Sequence, residues 1–345
     1  MAAPIPLCDT KGMPRATWLA ARAHGPDGSI PFTLGGSDIS VIYGINPWKT
    51  PLELWMEKTG RITPDDTTNL YQKEMGHLME PIVAHWYAEL TGNELIEDTM
   101  MYQHAKYPFA LGDLDYRFRQ KGTGQIGVFD SKTTTYHKAA DWSDSACPPY
   151  YELQMRWYLA IMDLELAELG CLWGMNPQND MAIRPVNRDI PTEDDMFERA
   201  TAFIDCCRTD TPPVMDDVLP EVAMAGLQRI YLQSQAGLPT IEFGASHEKA
   251  LRRIAQLQME NSQHDAAVRK NEKEVTALSV QIAALMEDHE HGELILPSEK
   301  IIADYKTRIT RRPDSDKLKK DYSAVYQDVL KESCSRKLKA SIKPL

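Results

Sequence analysis

The chain has 345 residues, 43% of them hydrophobic and 26% charged, with a formal net charge of −12. That balance excludes a disordered protein, and the acidic total excludes one that coats nucleic acid indiscriminately, while a narrow, locally basic site stays compatible with it. No run of about 18 apolar residues occurs, so no membrane span is expected, and six cysteines without a CxxC pair exclude a zinc ribbon, a cysteine-ligated cluster or a disulfide framework.

The N-terminus lacks an apolar signal core, so a reducing cytoplasm is the expected compartment. Charge is unevenly spread: residues 301–345 hold 12 Lys and Arg against 6 Asp and Glu. Such a basic segment can meet DNA phosphates or an acidic partner, or be a solvated helix face.

In chain order, a short helix over 15–25 contains Arg22. "LGGSDISVIYG" follows, with Gly35-Gly36 for a tight turn and Ser37 or Asp38 as a helix cap. Residues 50–60, "TPLELWMEKTG", read as a helix with Thr50 as its cap and Pro51 at its first position. Over 69–92, Met75, Met79, Ile82, Val83, Trp86 and Leu90 recur at helical spacing and predict one apolar face. Pro81 removes a hydrogen bond from that helix, so a kink or break is expected near Glu80. Trp48, Trp55 and Trp86 are expected in the core.

"FALGDLDYRF" (109–118) alternates as one strand with Asp113, Asp115 and Arg117 on one side. "GQIGVFDSKTT" (124–134) puts Ile126, Val128, Asp130 and Lys132 together, and the Gly-containing link between the two reads as a hairpin. A helix over 149–166 and β-like stretches near 167–175 and 181–187 complete a mixed sheet flanked by helices. Residues 208–242 are Pro-rich and irregular. Beyond them Ile254, Leu257, Val268, Val275, Leu278, Ile282 and Leu285 hold one a/d register, predicting a long amphipathic helix or a helical hairpin with coiled-coil character.

Acid-x-Lys occurs three times, at Asp9-Thr10-Lys11, Asp130-Ser131-Lys132 and Asp304-Tyr305-Lys306. Cleaving a phosphodiester with Mg²⁺ needs carboxylates that hold the ion and gains from a cation beside the developing charge. Magnesium keeps several waters, so two or three acids suffice. Only the middle copy has a partnered strand, bearing Asp115. Asp9 lies in a Pro-rich tail, and Asp304 in a helix-like basic segment.

"GGSDISVIYGINPWKTPLELWMEKTG", "MGHLMEPIVAHWYAELTG", "LGDLDYRF", "GVFDSKTTT" and "YYELQMRWYLAI" resemble, in order and spacing, the lambda-exonuclease/YqaJ-like viral recombinase family of the PD-(D/E)XK nucleases, over roughly residues 15–175. The resemblance implies a restriction-endonuclease-like α/β fold; with the Pro-rich stretch as boundary, the chain is expected to divide into a nuclease domain over 1–215, a linker over 216–245 and a helical, partly basic arm over 246–345. The resemblance implies metal binding by Asp115, Asp130, the Ser131 carbonyl and Glu80. Catalysis by Glu80, Asp115, Asp130, Lys132 and Gln154 follows, with Arg22, Ser37 and Tyr158 on the DNA and its 5′-phosphate. Tyr116 stands where many members have glycine, Asp113 competes with Asp115, and the loop between Arg22 and Ser37 is longer than in the lambda enzyme.

The implied activity is Mg²⁺-dependent digestion of linear duplex DNA from its ends, 5′ to 3′, with Mn²⁺ able to substitute. Exposed 3′ strands would pass to a single-strand annealing partner. By the same analogy the protein forms a trimeric ring in the cytoplasm of a bacterial host and is encoded by a phage or prophage. The rival reading is an interaction protein whose helical arm recruits recombination partners while the nuclease core is secondary.

Overall fold

The computed structural model describes residues 3–63, 70–144, 146–215, 217–231, 233–330 and 338–340. Asn69, at the head of the first long helical pattern, and Cys334 lie outside them. The described chain forms two compact units, residues 1–231 and 232–345.

The first unit runs β1 (Ile5–Asp9), α1 (Arg15–His24), α2 (Gly36–Ile42), α3 (Pro51–Lys58), α4 (Leu70–Thr91), β2 (Glu94–Glu97), β3 (Met100–Gln103), β4 (Leu111–Asp113), β5 (Tyr116–Arg119) and β6 (Ile126–Thr133). It continues with α5 (Pro149–Met162), β7 (Leu166–Leu172), α6 (Pro177–Asp180), β8 (Met181–Asn187), α7 (Ile190–Arg208) and α8 (Pro220–Ile230). A five-stranded mixed sheet has the order β2-β5-β6-β7-β8. Only β6 and β7 are parallel, joined by α5 as the crossover, and their register sets Asp130 beside Leu169 and Lys132 beside Cys171.

Alternation along the strands sorts side chains between two layers. Val128, Ala167, Leu169, Cys171 and Val186 pack with Trp157 and Ile161 of α5 and with Phe197 and Phe203 of α7. On the opposite face Phe118, Phe129 and Leu172 meet Val83, Ala84 and Tyr87 of α4. The protein is thus a mixed α/β fold, its central sheet flanked by helices.

The structure corrects several expectations. The stretch 109–118 is not one strand: β4 pairs with β3 in a separate sheet of order β1-β3-β4, and β5 pairs with β6, so the chain changes sheets at Leu114-Asp115. Asp9 closes β1 and is not part of a loose tail. Helix α4 continues through Pro81 without a break. Its buried face is Val83, Ala84 and Tyr87, whereas Met75, Ile82 and Leu90 are exposed. Trp55 is in the core, but Trp48 is 54% exposed.

Thr50 does cap α3, and Glu53 completes the reciprocal bonds of a capping box. The stretch expected as linker contains α8, and Arg229 on that helix bonds the buried Glu53 carboxylate at 2.6 Å, holding α8 onto α3 within the first unit.

The second unit contains α9 (Glu248–Met286), β9 (His291–Ile295), β10 (Lys300–Asp304), α10 (Ser315–Asp321) and α11 (Ser323–Asp328). Helix α9 is one rod of 39 residues and not a hairpin. Its apolar register is exposed at Leu257, Val268, Val275, Leu278, Ile282 and Leu285. Asp304 lies on β10, in an antiparallel hairpin with β9, and not in a helical segment. Within this unit the Gln258 side-chain amide donates to the Leu338 carbonyl at 2.9 Å and accepts from the Ala340 N–H at 3.0 Å. No helix among the described residues is long and apolar enough to cross a membrane.

Candidate active site

Two residues apart on β6, Asp130 and Lys132 share the face that looks toward α5, while Ser131 points to α4 and donates to the Glu80 carbonyl at 3.2 Å. Lys132 Nζ lies 2.5 Å from Asp130 Oδ2 and 3.4 Å from Gln154 Oε1, with the Tyr151 ring centroid 4.8 Å away. Burial works against the Lys132 charge, but the Asp130 carboxylate more than offsets it and raises the ammonium above its ordinary range.

Asp130 Oδ2 is buried, and its close partner is the Lys132 ammonium. Gln154 continues the chain of contacts, donating from Nε2 to the Tyr158 hydroxyl at 3.1 Å. Desolvation, with the Asp130 charge, pushes the Tyr158 phenol up, so it stays protonated.

Asp115 sits at the change of sheets between β4 and β5. The residue is exposed, and its carboxyl lies within the field of the Asp130 and Glu80 charges. Desolvation, followed by those two negative charges, raises it to about 7. Glu80, on α4, takes a 3.0 Å contact from His77 Nδ1, and burial raises its carboxyl as well.

Asp113 does not join this group. It accepts from the Trp18 indole N–H and from Thr10 Oγ1. Of the two competing aspartates, it is Asp115 whose charge is felt beside Asp130.

The second half of the site is built by close approach. Arg22 lies over the Trp18 ring, 4.9 Å from its centroid, and donates from Nη2 to Ser37 Oγ at 2.9 Å. A Cβ on Gly35 would collide with the Arg22 guanidinium, and one on Gly36 would meet the Tyr158 ring at 2.9 Å and Gln154 Cγ at 3.0 Å. Neither glycine has a positive φ, so what they supply is room for α1 and α5, and not a tight turn.

Gly35, not Ser37 or Asp38, caps α2, with Asp38 accepting from the Gly35 N–H at 3.0 Å. Burial alone would raise the Asp38 carboxyl; Lys58, at 3.1 Å, and Arg22 overrule it and hold it at about 2.

The fold therefore gathers Glu80, Asp115, Asp130, Lys132, Gln154 and Tyr158 around the end of β6, and Gly36 joins them to Arg22 and Ser37. Three neighbours escaped the sequence reading: Trp18 under Arg22, His77 on Glu80, and Tyr151 on Lys132. Trp18 and His77 stand one helical turn before Arg22 and Glu80, and Tyr151 one turn before Gln154, a spacing that could have flagged them.

Among the described residues no three His, Cys, Asp or Glu side chains form a ready metal cage. The mutually repelling carboxylates of Asp115, Asp130 and Glu80 nevertheless suit a hard cation that keeps most of its water and takes few protein oxygens.

The mixed sheet thus sets acids and a lysine together at the end of one central strand. Residues 17–165 match the model of the YqaJ-like viral recombinase domain. That span contains all five of the motifs quoted above. The chain is 26% identical over 334 residues to the uncharacterized protein YqaJ of Bacillus subtilis (strain 168), covering 96% of this chain and 95% of that one.

Among solved structures, an alkaline exonuclease from Laribacter hongkongensis is 14% identical with a TM-score of 0.45, covering 63% of this chain and 98% of its own. A phage-related exonuclease from Haemophilus somnus 129PT is 15% identical with a TM-score of 0.36, covering 50% and 92%.

Proposed function

We propose that the chain is a Mg²⁺-dependent deoxyribonuclease that digests linear duplex DNA from its ends, 5′ to 3′, leaving 3′ strands for phage-type recombination. The observation that carries this reading is the buried Asp130–Lys132 pair on one face of β6, with the Asp115 and Glu80 carboxylates near enough for their charges to repel that of Asp130. Asp115, Asp130, the Ser131 carbonyl and Glu80 would hold the ion, with Mn²⁺ able to substitute. When bound it would supply charge stabilisation at the phosphoryl group and lower the pKa of a water.

The chain's own residues do the rest. Lys132, kept charged by Asp130 and lightly tethered by Gln154, presents a proton-bearing ammonium beside the reacting phosphate. Tyr158 and Gln154 hold a hydrogen-bonded pair that can turn to a phosphate oxygen. Arg22 and Ser37, already bonded to one another, offer a guanidinium and a hydroxyl to a terminal 5′-phosphate. Assembly as a ring of copies in the host cytoplasm and hand-over to an annealing partner belong to the same reading.

The test is digestion of a 5′-phosphorylated linear duplex in Mg²⁺ or EDTA, beside Lys132→Ala and a closed circular control. Metal-dependent loss of the linear duplex alone, abolished by Lys132→Ala, supports it. An intact duplex with folded wild-type protein in Mg²⁺ and in Mn²⁺ refutes it.

A second reading, that the arm drives assembly with other proteins, is favoured by the exposed apolar register of α9. Deletion of residues 246–345 separates the two: digestion untouched, with lost association, assigns the arm to partners.

A further inference from the structure

Three of the aromatic rings near Lys132 form a connected series that ends in solvent. The Lys132 ammonium lies over Tyr151, whose ring meets Tyr150 at 4.5 Å in an edge contact of 63°. Tyr150 in turn meets Trp48 at 5.2 Å and 76°. Trp55, Trp142 and Trp157 are all buried, yet Trp48, two ring contacts beyond the ring under the lysine, keeps 54% of its surface exposed.

That exposure is not the looseness of a flexible loop. The N–H groups of Trp48 and Lys49 both donate to Asn46 Oδ1, at 2.9 and 3.0 Å, and Asn46 Nδ2 donates to Ser40 Oγ at 3.0 Å. The Trp48 carbonyl accepts from Arg229 Nη2 at 3.2 Å, and Lys49 pairs with Glu57 at 2.6 Å. The backbone under the indole is therefore fixed on both sides, and Tyr150 braces the ring. A large aromatic held open on a rigid support is suited to receive another flat ring, because little ordering entropy is lost on contact.

We propose that Trp48, braced by Tyr150, is a stacking platform for an unpaired nucleobase of the DNA strand whose phosphate lies at Lys132. This rests on the nuclease reading above and adds to it a preference for frayed or single-stranded nucleotides at the duplex end. Stacking on an indole is tolerant of sequence, since every base has a π-face, so the platform selects an unpaired state and not a particular base.

The test uses the full chain in EDTA and the anisotropy of labelled, 5′-phosphorylated duplexes. Two probes have the same terminal mismatches, one with bases at the frayed positions and one with abasic sites there. The wild type should bind the base-bearing end about 5- to 100-fold more tightly than the abasic end. Trp48→Ala should bind both alike, and Trp48→Phe should restore part of the preference. Equal binding of the two probes by wild type, or an undiminished preference in Trp48→Ala, overturns the proposal. The Lys132→Ala digestion assay is read separately: its failure removes the nuclease reading and leaves the base preference to stand or fall on binding alone.

Discussion

The indole N–H of Trp18 donates to the Asp113 carboxylate, which ties α1 to the end of β4 and occupies the acid two positions before Asp115. Asp113→Asn keeps an acceptor for that N–H, so digestion should persist within a few-fold of wild type. Asp115→Asn should lower the rate by about 100-fold or more, in line with loss of a group that acts on the reacting centre. Trp18→Phe keeps an aromatic surface for Arg22 but strips Asp113 of the indole donor, leaving it the Thr10 hydroxyl. We expect it to cost about 1–3 kcal/mol in denaturant unfolding.

Without a cation, the charge crowding at Asp115 makes the site a source of instability. Its carboxyl, ordinarily near 3.8, is raised to about 7 in the folded protein. Between those values the folded chain holds a proton that the unfolded chain has released, so stability falls as pH rises through this window. Asp115→Asn should therefore melt at a higher temperature than wild type at pH 8 in EDTA, the gap closing near pH 4. A melting temperature no higher than wild type at pH 8 would contradict the crowding.

Asp38 acts in the opposite sense. Its carboxyl is depressed from 3.8 to about 2, so its stabilising contribution is complete above pH 4 and is lost as pH falls through that interval. A shift of this size corresponds to about 2 kcal/mol. Asp38→Asn should lose that amount in urea unfolding at pH 7, with little difference from wild type below pH 2.

Gly36→Ala tests the packing of α2 on α5. The added methyl group meets the Tyr158 ring at 2.9 Å, in a part of the core with no slack. Overpacking of this kind costs about 1–3 kcal/mol. Because Ser37 is the next residue, affinity for a 5′-phosphorylated end should fall more than affinity for a 5′-hydroxyl end, as measured by competition between the two.

Much of this site could be read in the sequence because it depends on short-range regularities. Asp130 and Lys132 share a face by strand alternation, and Gln154 and Tyr158 share one by helical spacing. Asp115 was legible as a residue but not in its setting. Its alternation with Asp113 suggested one strand, whereas the chain changes sheets between them, which only long-range pairing with β3 and β6 decides.

Tertiary packing also overrides local signals at Pro81 and Trp48. Helix α4 survives its proline because Val83, Ala84 and Tyr87 are buried on Phe118 and Phe129, which outweighs one lost backbone bond. Trp48 is exposed because its loop is held from below by polar bonds, which hydrophobicity alone does not announce. Helix α7 does have a local signal, since Met196, Phe197, Ala200, Phe203, Ile204 and Cys207 recur at helical spacing and all are buried.

The grip of Gln258 on the Leu338–Ala340 backbone has a kinetic consequence. Two exposed hydrogen bonds contribute about 1–3 kcal/mol together, while closing a flexible loop of some 80 residues costs about 4 kcal/mol. Those bonds cannot bring Leu338–Ala340 to Gln258 by themselves. They become favourable once the β9–β10 hairpin and the helices after it have formed and shortened the effective loop. The Leu338–Ala340 segment is thus a late latch, closing after the β9–β10 hairpin during folding and opening before it. Its Ala340 amide should lose protection in hydrogen exchange well before the β9–β10 ladder does.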